Sequence, residues 1–119
     1  MRRTLLSILV FATSALAADF SGNWSGEGVA NGESHSLYFF FKQEGTTLRG
    51  SGGPNAGDQH PFQNGKVVGD KIVFDVTQGN KGTIHFELQA DGDLLKGTVE
   101  LRREEGSESG AVTLRKTAI

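Results

Sequence analysis

Period-two alternation of apolar and polar residues recurs along this chain, and glycine-centred turns separate the runs. Leu37, Phe39 and Phe41 alternate with Tyr38, Phe40 and Lys42. Ile72, Phe74 and Val76 alternate with Asp75 and Thr77, and Ile84, Phe86 and Leu88 with His85, Glu87 and Gln89. Leu95, Gly97, Val99 and Leu101 continue the pattern against Lys96, Thr98, Glu100 and Arg102. Successive strand side chains point to opposite faces, so each run presents one apolar and one wet face. No window offers a comparable helical stripe, and the chain reads as all-β.

Glu44-Gly45, Asn64-Gly65, Gly69-Asp70, Gly79-Asn80 and Asp91-Gly92-Asp93 supply residues that tolerate positive φ and read as turns. The predicted strands are 21–30, 35–43, 46–52, 61–68, 71–78, 82–89, 94–103 and 110–117. Eight consecutive antiparallel strands close into an up-and-down barrel, which removes both sheet edges. A two-sheet sandwich is the alternative packing. The run from Gly50 to Asp58 holds too much glycine and proline for a strand and is expected to form an exposed loop. Gly45 to Ser51 is echoed weakly by Gly92 to Thr98: each has a turn glycine, a leucine, a basic residue, a glycine and a hydroxyl residue. The inner glycines, Gly50 and Gly97, are expected where a curved strand needs little bulk.

Residues 1–17 have the form of a secretory signal peptide, with Arg2 and Arg3 ahead of a short apolar stretch and Ala15-Leu16-Ala17 as the cleavage signal. That stretch is shorter than the roughly 20 residues a membrane span needs. Residues 18–119 then form one domain, secreted or periplasmic. Losing Arg2 and Arg3 makes the net charge more negative than the −2 of the whole chain, which argues against a nucleic-acid partner. With no cysteine, disulfides, thiolate metal sites and cysteine nucleophiles are all excluded.

The first predicted strand carries Gly22-Asn23-Trp24 and the last carries Leu114-Arg115-Lys116. This pairing resembles the lipocalin and calycin superfamily, in which a first-strand Gly-x-Trp packs at the closed end of the barrel under a basic side chain from the last strand. The resemblance implies structural roles for Gly22 and Trp24, with Arg115 as the cation over the indole. The run from Asn64 to Phe74, Asn-Gly-Lys-Val-Val-Gly-Asp-Lys-Ile-Val-Phe, is also similar to small secreted bacterial β-proteins of mostly unassigned function. Avidin opens in a like manner, but its biotin pocket needs several tryptophans and this chain has one.

Catalytic chemistry finds little footing. There is no Gly-x-Ser-x-Gly elbow, and the glycines lie in hairpins instead of between a strand and a helix, where phosphate loops occur. His35, His60 and His85 each have a carboxylate two residues away, in Glu33, Asp58 and Glu87, near enough along a strand for each pair to touch; a wet strand face for His85, the exposed loop for His60 and a strand start for His35 account for them without a metal. The expected function is therefore non-catalytic, with no cofactor: binding of a small apolar ligand, oriented by Tyr38 and His60 against Trp24 and phenylalanine side chains. The alternative is a protein-interaction or protease-inhibitor module that presents Tyr38 and Phe40 as an outward aromatic patch.

Overall fold

A computed structural model of the chain describes residues 19–77 and 82–117. Nine strand segments follow in order: β1 (Gly22–Ala30), β2 (Glu33–Glu44), β3 (Thr47–Asn55), β4 (Asp58–Pro61), β5 (Gln63–Val68), β6 (Lys71–Thr77), β7 (Thr83–Asp91), β8 (Leu94–Arg103) and β9 (Gly106–Lys116). Every pairing is antiparallel, and each strand pairs with its neighbours in sequence except β4 and β5, which both pair with β3. The ring closes where β1 pairs with β9, through Trp24↔Lys116 to Val29↔Ala111. β4 and β5 lie end to end along β3, by Ser51↔Pro61 and Gly52↔His60 for β4 and Thr47↔Lys66 for β5. Phe62, between them, donates its N–H to the Gly50 carbonyl at 3.1 Å, which carries the pairing across the break. The result is a closed barrel of eight staves, one of them broken, and the sandwich alternative is set aside.

The inward parity of each strand fills the lower barrel with aromatic rings. Phe39, Phe41, Phe62, Phe74 and Phe86 are buried with Trp24, Leu48, Ile72, Leu88, Leu95, Val112 and Leu114. Phe74 stacks on Phe86 at 4.8 Å and meets Phe39 edge-on at 5.3 Å, an arrangement favoured by ring quadrupoles. Rings of this size, each buried to within a few per cent, make the lower half solid.

Three local expectations are corrected. The segment from Gly50 to Asp58 is not an exposed loop: β3 runs on to Asn55, the chain turns at Ala56-Gly57, and β4 begins at Asp58. A Cβ on Gly53 would lie 1.8 Å from the Asp58 carbonyl oxygen, so glycine here permits close strand approach. Asn64-Gly65 lies inside β5, where Asn64 takes φ 59° at a register shift between Gln63 and Lys66. It forms a bulge that bends the strand instead of a turn that ends it. The tight turn that the pattern missed is Asn31-Gly32, with φ 53° and 77°, the doubly positive geometry of a two-residue hairpin. The echoed glycines behave alike: a Cβ on Gly50 would meet the Phe40 carbonyl at 1.8 Å, and one on Gly97 the Glu87 carbonyl at 1.9 Å. The leader 1–17 and the Gly79-Asn80 turn lie outside the described residues.

Candidate functional site

The two ends of the barrel differ because their inward residues differ. At the closed end, Trp24 is buried and its indole Nε1–H donates to the Phe20 carbonyl at 2.9 Å. Phe20 is buried in turn, and its N–H donates to the Gln43 Oε1 at 2.9 Å. The cation over the indole is Lys116, with Nζ 5.7 Å from the ring centroid. This corrects the expectation for Arg115. Val112, Leu114 and Lys116 share the inward parity of β9, while Arg115 sits one position out of phase, opposite Ser25 instead of Trp24. Gly22 makes room for Lys116, whose Cε lies 2.8 Å from where a Cβ would stand. Only a recess of about 410 Å³ remains here, bounded by Asp19, Phe20, Trp24, Asp93, Leu94 and Lys116 among others.

The opposite end is open. Above Phe39 and Phe86, which form its floor, lies a cavity of about 740 Å³. Its wall includes Leu37, Val76, Ile84, Val99 and Leu101, together with Gly28, Gly52 and Gly110. Sequence parity identifies these side chains as inward. The void itself arises because β1, β2, β8 and β9 continue beyond the level at which phenylalanines fill the lumen.

Around the mouth, the same inward rows turn ionisable. On β2, Leu37 gives way to His35 and Glu33; on β8, Leu101 gives way to Arg103; on β9, Gly110 gives way to Glu108; on the broken stave, Phe62 gives way to His60 and Asp58. The six groups stand as three acid–base pairs: His35–Glu33 at 3.6 Å, His60–Asp58 at 3.1 Å and Arg103–Glu108 at 4.0 Å. All remain substantially solvated, so each pair adds little to stability.

The candidate binding residues do not converge. His60 lies on the mouth rim, Trp24 plugs the far end, and Tyr38 and Phe40 have the outward parity of β2. Tyr38 therefore cannot orient a ligand held inside the lumen. Phe40 is 44% exposed, while Tyr38 is half-buried beside a strap in which Gln59 Nε2–H donates to the Tyr38 carbonyl at 3.0 Å.

His85 departs from the local pairing expected of it. Its Nδ1 lies 2.6 Å from Asp75 on the neighbouring strand, while Glu87 faces Lys71 at 3.5 Å. Burial opposes ionisation of Asp75, but hydrogen bonds from Asn64 and His85 outweigh it and hold the carboxyl below its usual range. The cluster sits on the outer wall of β6 and β7, away from both cavities. Among the described residues, no group of three or more histidine, aspartate or glutamate side chains is placed to hold a metal, and no helix is long and apolar enough to cross a membrane. No protein-family model and no curated protein sequence matches the chain.

Proposed function

We propose that this protein is a non-catalytic binding protein, exported from the cytoplasm, that takes a small and largely apolar ligand into the open mouth of its barrel. The observation that carries the reading is the cavity of about 740 Å³ walled by Leu37, Phe39, Val76, Ile84, Phe86, Val99 and Leu101. Ligand sites usually span ~300–1,000 Å³ and are mainly apolar, with a few polar groups near the entrance. Apolar surface removed from water there contributes about 25 cal/mol per Å². The lipocalin-like pattern of Gly22, Trp24 and a last-strand cation at the opposite end supports the same reading, since a sealed base leaves a single entrance.

The test is native mass spectrometry of protein purified from its own host, joined to titration with a fluorescent apolar probe. The expected result is a co-purifying small molecule and saturable probe binding. Leu101→Trp, which fills the mouth from β8, should abolish both while leaving thermal melting close to the parent's. Probe binding unchanged by that substitution would reject the cavity as the site. A second reading, a protein-interaction or inhibitor surface at Tyr38 and Phe40, is favoured by the 44% exposure of Phe40 alone. Changing both to serine should then leave folding intact and remove partner capture from host extract; unchanged capture would dismiss the patch.

A further inference from the structure

We infer that the mouth cavity selects amphiphiles that carry a cationic head, an inference that rests on the binding function proposed above. The lumen is graded along its axis: phenylalanine at the floor, aliphatic side chains on the wall, and ionisable groups only at the rim. A ligand that matches this gradient has an apolar tail and one polar end, with the polar end held at the entrance. The sign of the rim decides which head fits. Glu33, Asp58 and Glu108 stand against Arg103, the sole permanent cation among the described residues lining the cavity. Three carboxylates thus stand against one guanidinium at the rim.

The pairing geometry reinforces that sign. Arg103 is already committed to Glu108 at 4.0 Å, whereas Glu33 and Asp58 face only imidazoles, at 3.6 and 3.1 Å. Among the described residues, no lysine or arginine pairs with either carboxylate, one on β2 and one on β4. An ammonium held at the entrance would have these carboxylates on the rim around it. A carboxylate head would meet the same two charges as repulsion, with an arginine already engaged elsewhere. Opposite charges near a protein surface attract appreciably at such range, and salt weakens the effect.

The experiment compares decylamine, decanol and decanoate, which share a tail and differ in head charge. Each is titrated below its micellar concentration at pH 7 and low ionic strength, with displacement of the apolar probe as the readout. Decylamine should bind about tenfold tighter than decanoate, with decanol between them, and the spread should shrink at high salt. The double variant E33Q/D58N, which leaves Arg103 with its Glu108 partner, should bring the three to within about twofold of each other. These side chains are solvated, so the variant is expected to fold, and its melting curve checks this; E33Q and D58N singly should each reduce the spread if the double variant does not fold. Decanoate binding as well as decylamine, or a preference that survives removal of the carboxylates, would overturn the inference while leaving the binding function standing. Failure of all three to bind would instead overturn the proposed function itself.

Discussion

Replacing Trp24 with alanine tests the seal on which the one-ended barrel depends. The indole is 6% exposed, lies 6.5 Å from the Phe41 ring, donates Nε1–H to the Phe20 carbonyl and supports Lys116. Truncating a buried tryptophan to alanine typically costs about 3–5 kcal/mol, from lost burial and the cavity left behind. An unpartnered Phe20 carbonyl moves the expectation toward the upper end. For a domain of this size each kcal/mol lowers Tm by roughly 4–8 °C, so a fall of about 20 °C or more is expected. Urea unfolding followed by far-UV circular dichroism is the assay, because the variant lacks the chain's only tryptophan. Lys116→Ala should cost about 0.5–1 kcal/mol through loss of the cation over the ring. Arg115→Ala should stay within about 0.5 kcal/mol. A Trp24→Ala loss below about 1 kcal/mol, or an arginine variant weaker than the lysine variant, would refute this account of the closed end.

Two further substitutions probe the wall. Gly97→Ala places a Cβ 1.9 Å from the Glu87 carbonyl oxygen and should destabilise by about 1–3 kcal/mol through forced strand separation; an unshifted urea midpoint would show that the strands approach less closely than described. The lowered pKa of Asp75 gives a stabilisation that is fully present above its unfolded-state value of about 3.9 and is lost as pH falls through the folded-state value. Asp75→Asn should therefore flatten the acid limb of the Tm–pH profile below about pH 4, and an acid limb identical to the parent's would assign that loss to other carboxylates.

The resemblance carried by Gly22, Trp24 and the last strand was informative about the closed end, but it named the wrong neighbour within that strand. Parity would have corrected it, because Leu114 and Lys116 lie in phase and Arg115 does not. Reading Gly50 to Asp58 as a loop failed for a related reason. Glycine permits both a flexible turn and the tight approach of two backbones, and composition alone does not separate them. A sequence displays only neighbours along the strand, which sets His85 beside Glu87, whereas its 2.6 Å partner, Asp75, comes from the strand beside it.

Alternation and turn chemistry are local properties, so the sequence by itself determined an all-β meander, its inward rows and most of its hairpins. Whether the inward rows meet or leave space depends on how many staves close the ring and how far each extends past its neighbours. Those quantities exist only once the chain has folded. Tertiary structure therefore decided that Leu37, Ile84, Val99 and Leu101 line a cavity while Phe41, Phe62 and Phe74 fill the lumen below them. It also gathered Glu33, Asp58, Arg103 and Glu108, from four separate strands, around one entrance.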